Sequence, residues 1–108
     1  AALLLPGCAE ETADHAAIFN RGNLPAQLHV AFSSSDGDVV REETRTLAFG
    51  ESFRFSLDHP RDGTYRLVVE AEDGRSAEMT LTWQGGTGPV RVRFEVYDDR
   101  IDEEQLVT

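Results

Sequence analysis

The sequence contains no lysine, a single cysteine and no catalytic signature, and each absence removes a class of function. All ten basic residues are arginine, set against twenty Asp and Glu, so the formal net charge is −10. Nucleic-acid binders replace phosphate counterions with a basic stripe. This chain offers the opposite sign, so no nucleic acid is expected as a partner, and anionic lipid headgroups should repel it too. The lone Cys8 cannot close an intramolecular disulfide or build a cysteine-rich zinc site. His15, His29 and His59 sit in separate segments with no metal-ligand spacing. No Gly-x-Ser-x-Gly is present. The acid pairs Glu42-Glu43, Asp98-Asp99 and Glu103-Glu104 are adjacent, which on a strand sends them to opposite faces and away from shared acid–base work. Neither an enzyme nor a cofactor is expected.

What is present begins with the acid itself. High net charge marks disorder when apolar residues are few, but here the apolar residues are periodic, which places the charge on a folded surface. Concentrated salt screens the self-repulsion of such a surface. An acidic, lysine-free composition resembles that of proteins from salt-loving organisms, haloarchaea above all. The length of 108 residues suits one domain.

Residues Ala1 to Gly7 are small or apolar and run directly into Cys8. Leu5-Pro6-Gly7-Cys8 resembles a lipobox, the signal for attaching lipid to cysteine. Leu5 and Gly7 match that pattern, and Pro6 departs from it. The resemblance implies that residues 1–7 are the remainder of a lipoprotein signal peptide and that Cys8 becomes a lipidated N-terminus. Residues 8–14 then form the anchor and a short acidic tether, and residues 15–108 the folded domain. Apolar CH2 groups buried in a membrane would hold the acidic domain there, giving an extracytoplasmic, membrane-anchored location.

From His15 onward the dominant period is two, the signature of half-buried strands. Leu28, Val30 and Phe32 alternate with His29 and Ala31. Phe53, Phe55 and Leu57 alternate with Ser52, Arg54 and Ser56. Tyr65, Leu67, Val69 and Ala71 alternate with polar residues and Val68. Ala77, Met79, Leu81 and Trp83 alternate with Glu78, Thr80 and Thr82, and Val90, Val92, Phe94 and Val96 with Arg91, Arg93 and Glu95. Two weaker strands are expected at Ala17 to Asn20 and Val39 to Leu47; the charged middle of the latter suits a sheet edge. Asp98 to Leu106 leaves room for a turn of helix. Short strands separated by Gly, Asp and Pro turns predict an all-β, two-sheet antiparallel sandwich of about seven strands.

One hairpin register follows from the pattern. A two-residue turn at Asp73-Gly74 would place Val69 opposite Glu78 and Leu67 opposite Thr80. Directly opposite residues share a face, so that register puts acid and hydroxyl in the core. A three-residue loop, Glu72-Asp73-Gly74, instead pairs Val69 with Ala77, Leu67 with Met79 and Tyr65 with Leu81. It requires Gly74 in the left-handed region.

Gly63-Thr64-Tyr65-Arg66-Leu67 resembles the start of the penultimate core strand of immunoglobulin and fibronectin-like domains. There a tyrosine hydroxyl bonds back to nearby backbone. Leu67 stands where the antibody pattern has cysteine, so the core must hold without a disulfide, on Tyr65, Leu67, Leu81, Trp83 and Phe94. More broadly, Gly50-Glu51 entering a strand, then Gly-x-Tyr, Asp-Gly and a strand ending in Trp83 resembles small secreted haloarchaeal lipoproteins. That likeness covers His15 to about Tyr97, and it implies a fold and a location rather than an activity.

The resulting expectation is an immunoglobulin-like, non-catalytic module held to the membrane by lipid on Cys8, with another cell-surface protein as a candidate partner. The alternative is a solute- or metal-binding accessory lipoprotein of a transporter or redox system. Its candidate ligand loops carry Asp36, Asp38 and Gly86, grouped with the Gly22 loop at one end of the sandwich. Asp36-Gly37-Asp38 lacks the twelve-residue loop of an EF-hand and reads as a hairpin turn. The glycines around Gly86 lack the lysine and following helix of a phosphate cradle.

Overall fold

The computed structural model describes residues 14–85 and 90–106. These form eight strands: β1 (His15–Asn20), β2 (Ala26–Ser34), β3 (Val39–Leu47), β4 (Ser52–Ser56), β5 (Gly63–Ala71), β6 (Ser76–Trp83), β7 (Arg91–Val96) and β8 (Ile101–Leu106). They pack as two four-stranded sheets, ordered β4-β1-β7-β8 and β3-β2-β5-β6. The chain crosses between sheets after β1, β3, β4 and β6. The expected sandwich is present, with two differences in detail. The segment left as room for a helical turn supplies the eighth strand, and β1 runs parallel to β7 while every other pairing is antiparallel.

Both differences have a local cause. In β8 only Ile101 is buried, so its acidic run hides the period-two signal; the strand exists because β7 supplies its ladder. Ala16, Ile18 and Asn20 of β1 point inward, and the strand is central, flanked by β4 and β7, although its sequence is short.

The core is the sum of the alternating faces. Ile18, Leu28, Val30, Phe32, Phe55, Leu57, Leu67, Val69, Val92, Phe94 and Val96 are fully buried. Aromatic packing strengthens this core, which has no disulfide. Phe32 stacks on Tyr65 at 5.1 Å, and Trp83 meets both edge-on at 5.8 and 5.5 Å, within the range where ring pairs add to simple burial. Tyr65 Oη donates to the Arg61 carbonyl at 2.7 Å, the backbone bond that the Gly-x-Tyr resemblance implies.

The β5–β6 hairpin has the bulged register, with Val69 opposite Ala77, Leu67 opposite Met79 and Tyr65 opposite Leu81. Gly74 has φ of 100°, and among the described residues no non-glycine has positive φ. The Ala71 N–H donates to the Arg75 carbonyl and the Gly74 N–H to that of Ala71. Asp73 Oδ1 accepts from the Arg75 N–H at 3.1 Å. The Arg75 guanidinium bonded to Asp73 holds its carboxyl below the ordinary carboxylate value.

The charges of β3 do more than repel other edges. Arg41, Glu43 and Arg45 lie opposite Phe32, Val30 and Leu28, so they point to the core side. Glu43 bonds Arg45 at 2.6 Å. The guanidinium of Arg45 sits 4.8 Å from the centre of the Phe53 ring and that of Arg41 5.5 Å from Phe55. The triad lies over the open side of the sandwich, the arginines covering rings with their planes and keeping their charges wet.

Candidate functional site

The two ends of the sandwich differ. At one end lie Asp14, the β2–β3 turn and the β4–β5 connection; this is where the chain enters the domain. Asp14, read from sequence as the last residue of a tether, is a structural clamp. Its carbonyl accepts from the Leu57 N–H at 3.1 Å, and its Oδ1 accepts from the Val90 N–H at 2.5 Å. Its Oδ2 lies 3.8 Å from His59 Nδ1. The His59 ring stacks on Trp83 at 4.2 Å. One residue thus ties the entering chain to two connections and, through His59, to the aromatic core. His59, in the β4–β5 connection, is half of a stacked pair. His15 begins β1 and is buried.

The opposite end is built from four turns: β1–β2, β3–β4, β5–β6 and β7–β8. Asn20 organises it. The side chain is 1% exposed, and every polar atom is engaged. Nδ2 donates to the carbonyls of Leu24 and Leu47 at 2.9 and 3.0 Å, and Oδ1 accepts from the Gly22 N–H at 2.9 Å. Its backbone carbonyl accepts from the Gly50 N–H and its N–H donates to the Glu51 carbonyl. A buried polar side chain is tolerated only when satisfied in this way. Gly22 packs directly against the Asp98 carboxylate, leaving no space for a Cβ, and Asp98 Oδ1 in turn accepts from the Asn23 N–H at 2.9 Å. Arg75 Nη1 donates to the Tyr97 carbonyl, joining the β5–β6 and β7–β8 turns. The Arg100 guanidinium lies 4.4 Å from the centre of the Tyr97 ring.

This hydrogen-bonded end carries two large apolar side chains that the core does not bury. Leu24 is 67% exposed and Phe49 66%, and the turns bearing them are bonded to the same Asn20. Beside Leu24 is a cleft of about 150 Å³ lined by Pro25, Gln27, Glu72, Arg75 and Asp98. A second, open depression of about 380 Å³ lies on the outer face of the second sheet. There His29 Nδ1 is 3.0 Å from Thr44 Oγ1 and Nε2 is 3.2 Å from Glu42.

Two of the ligand loops expected from sequence, those of Gly22 and Asp36, lie at opposite ends of the sandwich. Gly22 precedes β2 and Asp36 follows it, so a nine-residue strand, about 26 Å long, separates them. Asp36 and Asp38 lie in an exposed hairpin turn closed by the Ser34 N–H donating to the Asp38 carbonyl at 2.9 Å and the Gly37 N–H to that of Ser34. Cys8 and Gly86 lie outside the described residues. Among the described residues no group of three or more His, Cys, Asp or Glu is placed to hold a metal ion. Sequence reasoning missed Asn20, Leu24 and Phe49. An Asn beside Arg-Gly-Asn reads as turn chemistry, and isolated apolar residues in turns carry no periodicity.

No curated protein and no solved structure matched the chain. Residues 25–99 match the halobacterial Ig-like domain family. The match runs from just before β2 to the β7–β8 turn and takes in the hairpin, the tyrosine bond and the arginine-lined edge. It spans well over half of the sequence, and the chain belongs to the halobacterial Ig-like domain family.

Proposed function

We propose that this Ig-like module is a non-catalytic, lipid-anchored protein of the outer membrane face that presents its turn-built end to another cell-surface protein. The observation that carries the reading is Leu5-Pro6-Gly7-Cys8, six residues ahead of Asp14. A fully extended tether of that length reaches about 20 Å, so lipid on Cys8 would hold the Asp14 end near the bilayer. The clamp at Asp14 fits a junction that transmits a pull from the anchor to the core. Leu24 and Phe49, at the far end, would face away from the membrane, where exposed apolar side chains suit protein recognition.

The test is fractionation of cells expressing the protein with its natural leader, with and without Cys8→Ser. The wild type is expected in the membrane fraction and released only by detergent, and Cys8→Ser in the soluble extracytoplasmic fraction. Equal partition of the two would overturn the anchoring reading.

A further inference from the structure

The two sheets have four edges, and three of them are blunted. β3 carries the inward Arg41–Glu43–Arg45 triad and a register shift against β2 at Phe32/Ser33. β4 has five residues with Arg54 at its centre. β8 carries Asp102, Glu103 and Glu104 in succession. Inward charge, shortness and irregularity are the devices that keep sheet edges from pairing with other chains.

The fourth edge, β6, has none of them. It runs eight residues, Ser76 to Trp83, without Pro or Gly, and its pairing to β5 shows no register shift. Its single charge, Glu78, is held by Arg66 of β5 at 3.1 Å. The bond from the Ala71 N–H to the Arg75 carbonyl sets the parity of the ladder. Ala77, Met79, Leu81 and Trp83 therefore bond to β5, and the N–H and C=O groups of Ser76, Glu78, Thr80 and Thr82 line an edge that no other described strand pairs with.

We propose that β6 pairs with β6 of a second copy, antiparallel about a two-fold axis midway between the two Thr80 residues, to make one continuous sheet across two molecules. The strand is self-complementary in that register. Inward Ala77 meets Trp83 of the second copy and Met79 meets its Leu81, so small faces large and the apolar row continues across the axis. On the outer face Thr80 meets Thr80 and Glu78 meets Thr82, so no acid opposes an acid. Such an interface is isologous and closes at a dimer. β8 approaches β6 from the facing sheet, and it brings the acids of the two copies near one another. The association therefore strengthens as salt screens them.

Sedimentation velocity on the full chain, with reductant present so that Cys8 cannot cross-link, tests the pairing from micromolar to millimolar protein in dilute and molar KCl. The dimer fraction is expected to rise with concentration and with salt. Thr80→Pro removes only an outward N–H, the kind of site where an edge strand accepts proline, and should sediment as a monomer with its melting transition retained. Thr80→Glu leaves the backbone intact and sets two carboxylates against each other; it should weaken association about tenfold in dilute buffer and less in molar KCl. A chain monomeric under every condition overturns the proposal, as does a dimer unaffected by Thr80→Glu. If Thr80→Pro does not fold, Thr80→Glu decides alone.

Discussion

Asn20 shows how one buried polar residue can organise an end of a small sandwich. Replacing it by alanine removes the side-chain partner of the buried Gly22 N–H and of the Leu47 carbonyl, and of the partly buried Leu24 carbonyl, and a buried group left unpaired carries its desolvation cost. Asn20→Ala should therefore destabilise the domain by about 2–4 kcal/mol, read as a shift in urea midpoint at fixed high salt. Tyr65→Phe removes one bond, to the Arg61 carbonyl, and should cost about 1 kcal/mol by the same measurement. Leu24→Ser and Phe49→Ser are controls of opposite sense. Both side chains are two-thirds exposed, so each change should leave stability within about 0.5 kcal/mol. A large loss from either would mean that the fold, rather than a partner, requires them. Asp73 gives the pH sign at this scale. Its folded pKa is lowered by the bond to Arg75, so its contribution is present above the unfolded value and is lost as pH falls through the folded one. Asp73→Asn should flatten that acid limb of the stability profile.

At the level of elements, the outcome of the sequence reading depends on whether an element's own residues determine its environment. The β5–β6 register is legible because a one-residue slip would put Glu78 and Thr80 in the core, and Gly74 supplies the conformation the longer loop needs. Gly74→Ala keeps the register but forces a Cβ into φ of 100°, at a cost of about 1 kcal/mol. β8 is not legible, because its acids are edge chemistry and its pairing to β7 is set by a neighbour. The Gly22 and Asp36 loops could not be sorted by end from composition. The one strand between them, legible through Leu28, Val30 and Phe32, does that and places them at opposite ends. β3 falls between: the charges mark an edge, but only the pairing with β2 reveals that Arg41, Glu43 and Arg45 face inward. Arg45 is half exposed, so its loss is cushioned by solvent. Arg45→Ala should cost about 1 kcal/mol, mostly through uncovering Phe53. Raised binding of an apolar dye by this variant would report the uncovered ring.

For the whole molecule, membership of a halobacterial family and a net charge of −10 carry one consequence. The folded surface concentrates acid that the unfolded chain spreads out, so screening stabilises the fold. The melting temperature should climb steeply from dilute buffer to molar KCl, and a flat profile would contradict this reading of the charge. The same charge bears on location. An acidic domain has no general attraction to anionic headgroups, so the proposed membrane residence requires lipid on Cys8. The most direct test is the intact mass of the protein extracted from membranes of its own host. The expected result is a chain beginning at Cys8, heavier than its residues by one or more lipid chains, with the excess confined to the N-terminal peptide. A membrane-free protein retaining residues 1–7, or one beginning at Cys8 with no added mass, would contradict the account.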